Sequence, residues 1–310
     1  MPMNDFLEKQ PSPWMSLVLL LVYTVAFSIG IQILALLIGE LNGSNIQDFI
    51  SGSTATATGN SRFFMYALLA CGTFGTFYLP AVVLQKREPM FQYFPTENTP
   101  VAFYALAVAF LVAFAPLMGL IAEWNAHVTF PEGLKGVENW MREQEDSSNG
   151  LIKKVVMVDH LGLLFVNIIV LALFPAIAEE YYFRGSLMHI AQRIFKNMHV
   201  TIWITAIIFS AIHVQFFGFV PRVLLGAFFG YMLYWTNNIW VPILGHFVNN
   251  ATVAVYAYYC TTQGKTFEEM QSADTYSNFV YLGSVILTIA IAILFYNKSK
   301  QYSTHGKRLD

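Results

Sequence analysis

A succession of long apolar runs, separated by short polar stretches, leaves this chain few ways to fold. Crossing roughly 30 Å of hydrocarbon takes about 20 helical residues at 1.5 Å each. Eight segments reach or approach that length, at 14–39, 63–84, 101–122, 155–178, 201–219, 223–235, 239–259 and 276–296, the sixth being the shortest. They predict an all-α protein, a polytopic membrane helix bundle of about eight transmembrane helices. Composition agrees, with 56% hydrophobic and 12% charged residues over 310 positions, about half the charged fraction of an average soluble domain. The first run is too long for the core of a signal peptide, and Asp5 and Glu8 precede it beside a single Lys9, so it is expected to be a retained span.

Orientation follows from the retention of Lys and Arg on the cytoplasmic face. With both termini inside, Lys9, Lys86, Arg87, Arg184, Arg193, Lys196, Lys298, Lys300, Lys307 and Arg308 fall there, ten of 17 basic residues, against seven of 19 acids. The sequence therefore places both termini in the cytoplasm, although Lys153 and Lys154 in the opposite loop argue the other way. A net charge of −2 provides no basic surplus for neutralising phosphates, so nucleic acid is not an expected partner. Cys71 and Cys260 lie far apart in apolar surroundings and read as small buried hydrophobes. The linker after the first run is rich in Gly, Ser and Thr at 51–59. The acidic loop 123–154 repeats Leu134, Val137, Trp140 and Met141 at helical spacing, which predicts an amphipathic helix, either interfacial and gating or a plain connector.

An ionisable group at membrane depth costs about 2.5–3.5 kcal/mol on insertion scales and marks a paired or functional position. Here such groups gather in the second half of the chain: Glu179, Glu180 and Arg184, then His213, then His246 with Asn250. Glu180 and Arg184 are four apart on one helical face and can form an ion pair, whereas Glu179 lies about 100° around the axis and stays free. His246 and Asn250 are also four apart, with Gly245 allowing close approach of a neighbour. Pro175, four residues before the glutamates, is expected to kink or end the fourth span.

A free glutamate beside a histidine can take a proton from water, and a second histidine with an asparagine can stabilise an oxyanion, which together describe hydrolysis of an acyl bond. The same atoms could hold a divalent metal such as zinc through Glu179, His213 and His246, with water in the open position. The other intramembrane routes are poorly supplied. There is no HExxH pair, Asp159 is the only candidate for an aspartyl dyad, and Gly185-Ser186 lacks a second flanking glycine.

Glu-Glu-x-x-x-Arg at 179–184, Phe-x-x-x-His at 209–213 and His-x-x-x-Asn at 246–250, in this order on apolar helices, resemble the CPBP family of intramembrane proteases, which includes CAAX proteases and the Abi, bacteriocin-processing members. The run from Leu224 through Gly230, Asn237, Asn238, Trp240 and Pro242 to His246 is also similar, so the resemblance covers roughly 155–255. It implies an eight-helix fold around an intramembrane catalytic cavity. It also implies a base role for Glu179, support from Glu180 and Arg184, water activation with His213, and oxyanion stabilisation by His246 and Asn250. Members are commonly labelled metalloproteases, and a metal-free glutamate mechanism has also been argued, so the metal stays open. On this basis 1–154 is expected to be a membrane scaffold, 155–260 the catalytic core, and 261–310 a last span with a basic tail. The expected substrate is a peptide or lipidated peptide in the membrane, with peptide precursors favoured over prenylated tails.

Plainer readings exist for many of these residues. Glu180 with Arg184 is first a structural pair, Phe209 a packing residue, and Gly226-x-x-x-Gly230 a helix-packing motif. Tyr181 and Tyr182 line the site or belong to an aromatic belt, and His127, His189, His199 and His305 are expected to be solvated or interfacial. As rival functions, a proton-coupled transporter would use the same buried groups but predicts a matching set in the other half, and an idle immunity or scaffold relative predicts a damaged motif.

Overall fold

The structure is a computed structural model that describes residues 11–41, 59–272 and 276–303. Most of the Gly/Ser/Thr-rich linker, together with Lys9, His305, Lys307 and Arg308, lies outside the described residues. Among the described residues ten helices follow one another: α1 Pro13–Leu41, α2 59–87, α3 Val101–Ala126, α4 Lys135–Val156, α5 Leu161–Phe195, α6 Met198–Ala211, α7 Phe219–Thr236, α8 Trp240–Thr262, α9 Phe267–Gln271 and α10 Asn278–Ser303. No strand occurs among the described residues beyond an isolated bridge between Thr96 and Asn238. The protein is an all-α polytopic bundle, and its first helix shows its apolar side chains outward along almost its whole length, as a lipid-facing helix must.

Six helices among the described residues are long and apolar enough to cross a bilayer: α1, α2, α3, α5, the stretch Phe216–Thr236 containing α7, and α10. The expected count of about eight is not confirmed by the described residues. The sixth apolar run, the shortest in sequence, is one of the six, because its helix begins before Val223. The shortfall falls instead on α6, whose 14 residues extend only about 21 Å. α8 is long enough at 23 residues, but His246, Asn249 and Asn250 lower its apolarity.

Local sequence sets these boundaries. α5 ends where Lys196 turns left-handed at φ 55°, and the Asn197 side chain caps α6 by accepting from Val200 N at 3.1 Å. α7 ends at Asn237, again left-handed at φ 48°, a conformation Asn tolerates better than most residues. Pro175 does not end the fourth span, one of the two outcomes expected of it. α5 runs on for 35 residues to Phe195, carrying wider π turns at Ile168–Leu173 and Tyr181–Leu187 on either side of the proline and the glutamates. Such turns absorb the missing donor without breaking the helix.

The glycines of the 226–230 motif are packing positions. A Cβ on Gly230 would lie 2.9 Å from Ile202 and one on Gly226 3.2 Å from Ala206, so α6 and α7 touch backbone to side chain there. A core of Phe103, Phe110, Phe228, Phe229, Val241 and Phe295 joins α3, α7, α8 and α10 behind them. α4 is amphipathic and reaches Val156, slightly past the boundary drawn from sequence at 154.

Candidate active site

Three helices bring the polar residues to one place. Glu179 and Glu180 sit mid-way along α5 just before its second π turn, His246 one and a half turns into α8, and His213 just beyond the end of α6. Glu179, Glu180, Arg184 and His246 are all buried. The pair expected from the i,i+4 spacing is present: Arg184 Nη1 donates to Glu180 Oε1 at 2.8 Å, and Nη2 donates to the Gly226 carbonyl at 2.9 Å. The guanidinium also lies over the rings of Phe209 and Phe229, 4.6 and 5.5 Å from their centroids. Phe209 is thus a packing residue that also solvates a buried cation.

Glu180 does more than neutralise Arg184. His246 Nδ1 lies 2.8 Å from the same Glu180 Oε1, and His246 Nε2 faces Glu179 Oε2 at 3.8 Å. Adjacent glutamates therefore reach opposite nitrogens of one imidazole. Phe229 stacks on that ring at 5.3 Å and 16°, while Phe209 meets it edge-on, so its plane is fixed from two sides. Glu180 Oε1 holds two donors, and its Oε2 is buried with no partner. An unsatisfied buried carboxylate oxygen is rare in a purely structural role.

His213 has its Nδ1 2.7 Å from the Phe209 carbonyl, which can only accept; Nδ1 therefore carries the proton and Nε2 is left bare. Asn250 is turned elsewhere. Its Nδ2 lies 3.5 Å from the carbonyl of Leu171, the group four residues before Pro175 that proline cannot serve, and Asn249 donates to its Oδ1 at 3.1 Å.

Among the described residues no three His, Cys, Asp or Glu side chains are grouped to hold a metal ion. In both His213 and His246 it is Nδ1 that meets an acceptor, the Phe209 carbonyl and Glu180, so Nε2 is the nitrogen each would offer to a water or a metal.

Arg184 is not the cytoplasmic loop cation that its sequence position suggests, because it is 3% exposed and neutralised inside the bundle. Removing it with Glu180 leaves the charge balance of the two sides unchanged. Tyr182 is buried against α1, its hydroxyl 2.9 Å from Thr24 Oγ1, and Tyr181 stacks on Phe94 at 4.3 Å, so both pack rather than cap the site. His189 is not solvated; it is half-buried between the rings of Phe91 and Tyr93. Gly185 is a close-approach position, where a Cβ would lie 2.6 Å from Phe94.

Sequence reasoning missed Arg222, in the first turn of α7. It donates to Gln215 at its carbonyl (3.3 Å) and side-chain oxygen (2.7 Å), and its charge acts on Glu179, His213 and Glu145. A cation directly after Pro221 at the head of an apolar run was the available signal. Val214, next to His213, has φ 53°. A β-branched residue there is strained by about 1–3 kcal/mol, and such strain collects at functional sites.

Similarity to known proteins falls on the same stretch of chain. Residues 161–252 match the family model described as type II CAAX prenyl endopeptidase Rce1-like. The similarity is confined to that segment. The segment holds every site residue above and less than a third of the chain. A second similarity is to the uncharacterized protein YpbD of Bacillus subtilis (strain 168), 29% identical over 122 residues, which are 38% of this chain and 58% of YpbD. The chain thus spans little more than half of that relative's length. No solved structure matches this chain.

Proposed function

We propose that this integral membrane protein is a CAAX-type intramembrane endopeptidase that hydrolyses a peptide bond of a membrane-associated peptide or protein at the Rce1-like segment. The observation that carries this reading is the single imidazole of His246 held between two buried glutamates, only one of which is neutralised by an arginine. Glu179, Glu180 and Arg184 sum to one negative charge, so one proton on the Glu179–His246 pair makes the buried cluster neutral. With that proton on His246, Nδ1–H is given to Glu180, Nε2–H is a donor facing the reaction space, and Glu179 is a free carboxylate.

Glu179 then takes the proton from an attacking water, which the bare Nε2 of His213 orients. Nε2–H of His246 stabilises the developing oxyanion, and Glu179 returns the proton to the leaving amine. Glu180 and Arg184 hold the His246 ring in the required orientation. Asn250, bonded to the Leu171 carbonyl, supports the wall of the site and can join the oxyanion interaction by releasing that long contact. The gap of 3.8 Å between Glu179 and His246 leaves the pair unbonded and able to admit a water or a substrate oxygen. Each step is assigned to side chains, and none is routed through a metal. Both termini are placed in the cytoplasm, a reading supported by the basic residues that remain on that side once Arg184 is removed.

Cleavage of a membrane-peptide library by the purified protein tests this reading. Glu179→Ala and His213→Ala are each expected to lower kcat by about 10²–10⁴-fold, and undiminished cleavage in both would overturn the assignment. Dialysis against chelator is expected to leave the rate unchanged; loss restored by zinc would make Glu179, His213 and His246 a ligand set instead.

A further inference from the structure

His213 stands just past the end of its helix, bonded back to it through N to the Ser210 carbonyl and through Nδ1 to the Phe209 carbonyl, while the chain that follows leaves the helix. α6 ends at Ala211, and the chain passes through His213 and the left-handed Val214 before a short turn at Phe216–Gly218 leads into α7. The backbone of this return is held by side chains distant in sequence. Asn125, buried at the end of α3, donates from Nδ2 to the Phe216 carbonyl at 3.2 Å and accepts at Oδ1 from Val220 N at 2.8 Å. Glu145, on the amphipathic α4, accepts from Phe217 N at 2.8 Å. Two ring contacts reinforce the α4 grip: Trp140 against Phe216 at 5.5 Å between centroids, and Arg142 over Phe217 at 4.0 Å. From within, Ser210 Oγ donates to the Phe219 carbonyl at 2.8 Å, and Arg222 binds Gln215.

We infer that Asn125 and Glu145 are positioning residues, which fix the 212–220 return and thereby aim His213 Nε2 at the water that Glu179 activates. The inference rests on the proposed hydrolysis. It gives the acidic loop a definite role, since α4 becomes a splint for the catalytic return, built from one carboxylate and two side chains in contact with consecutive phenylalanines. A strained turn needs such external bonds, because nothing in a left-handed Val214 favours the geometry by itself. Asn is suited to the α3 position because its amide supplies one donor and one acceptor to two backbone groups at once. Glu145 acts through acceptance, so an uncharged acceptor of the same length can replace it.

The experiment compares Glu145→Ala, Glu145→Gln and Asn125→Asp in the full-length, detergent-purified protein. Hydrogen exchange of the Phe217 and Val220 amides is measured beside peptide cleavage. Glu145→Ala is expected to lower kcat about 10- to 100-fold with KM unchanged and to speed exchange at Phe217. Glu145→Gln is expected to restore both. Asn125→Asp keeps the Val220 bond but loses the donor to Phe216, so it should lower kcat while Val220 stays protected. Unchanged exchange at Phe217 in Glu145→Ala overturns the splint whatever the activity. A rise in KM at constant kcat also overturns it and makes α4 a gate. Failure of Glu145→Gln to restore kcat does so too, because the charge would then be acting on Arg222. A wild-type protein that cleaves nothing refutes the hydrolysis, and the exchange data still decide whether the return is held by these side chains.

Discussion

Two buried carboxylates, one on α5 and one packed beside its end, differ in how completely their oxygens are satisfied. Near the end of the helix Glu88, 2% exposed, receives the Ser16 hydroxyl at 2.8 and 2.9 Å on its two oxygens and the Tyr93 hydroxyl on Oε2, with Arg193 at 3.8 Å. Arg193 in turn donates to Ser16 and to the Pro11 carbonyl and lies 3.9 Å over the Phe91 ring. Burial and the neighbouring Glu88 push the Tyr93 phenol well above its ordinary pKa, so it remains a donor at any physiological pH. Every oxygen of Glu88 is served, and the network ties the start of α1 to the end of α2 and the tail of α5. Glu180 is fully buried too, but it crowds its donors on Oε1 and leaves Oε2 bare, with Glu179 and the His246 imidazole beside it. Saturation marks the first as a clamp. Incomplete satisfaction next to a second acid is the feature on which the proposed hydrolysis draws in the other.

Exchanging each acid for its amide tells the two apart. Glu180→Gln keeps the volume but removes the charge that balances Arg184 and orients His246. It is expected to lower kcat about 100-fold or more, and its measurement is peptide cleavage by protein that still elutes as a folded species. The full truncation, Glu180→Ala, leaves a buried arginine uncompensated and is expected to cost about 3–5 kcal/mol of stability, read from the thermal midpoint. Glu88→Gln should do the reverse of Glu180→Gln, lowering the thermal midpoint through a loss of about 1–3 kcal/mol while kcat stays at wild-type level. If Glu88→Gln abolished cleavage without unfolding, the distinction between clamp and site would fail.

The smallest effect belongs to a third carboxylate, outside the membrane. Glu138 on α4 is held down to a pKa of about 2, first by Lys135, then by the Phe130 amide and by Arg142. A depressed acid stabilises the fold above its ordinary value near 4.5 and loses that contribution as pH falls toward 2. Amide exchange at Phe130, corrected for its intrinsic pH dependence, is therefore expected to be flat from pH 7 to 5 and to accelerate below 4.5. Glu138→Gln should lose the pH dependence, and a profile shared by wild type and variant would show that another group governs it.

Spacing along the chain was enough for the membrane class, the all-α fold, the Glu180–Arg184 pair and the identity of the polar residues worth watching. Each follows from local periodicity: apolar runs long enough to span hydrocarbon, and charges four apart on one helical face. What those residues touch depends on tertiary packing. The bond from His246 to Glu180 crosses 66 positions, and those from Asn125 and Glu145 to the 216–220 backbone join three helices. Side-chain direction at that range is fixed by how helices pack, which no local period encodes. The continuous α5 belongs to the same class, since Pro175 reads as a break until neighbouring π turns and Asn250 accommodate the carbonyl it leaves unserved. The chain thus announces that it carries buried acids and imidazoles, and packing alone turns one imidazole toward two glutamates.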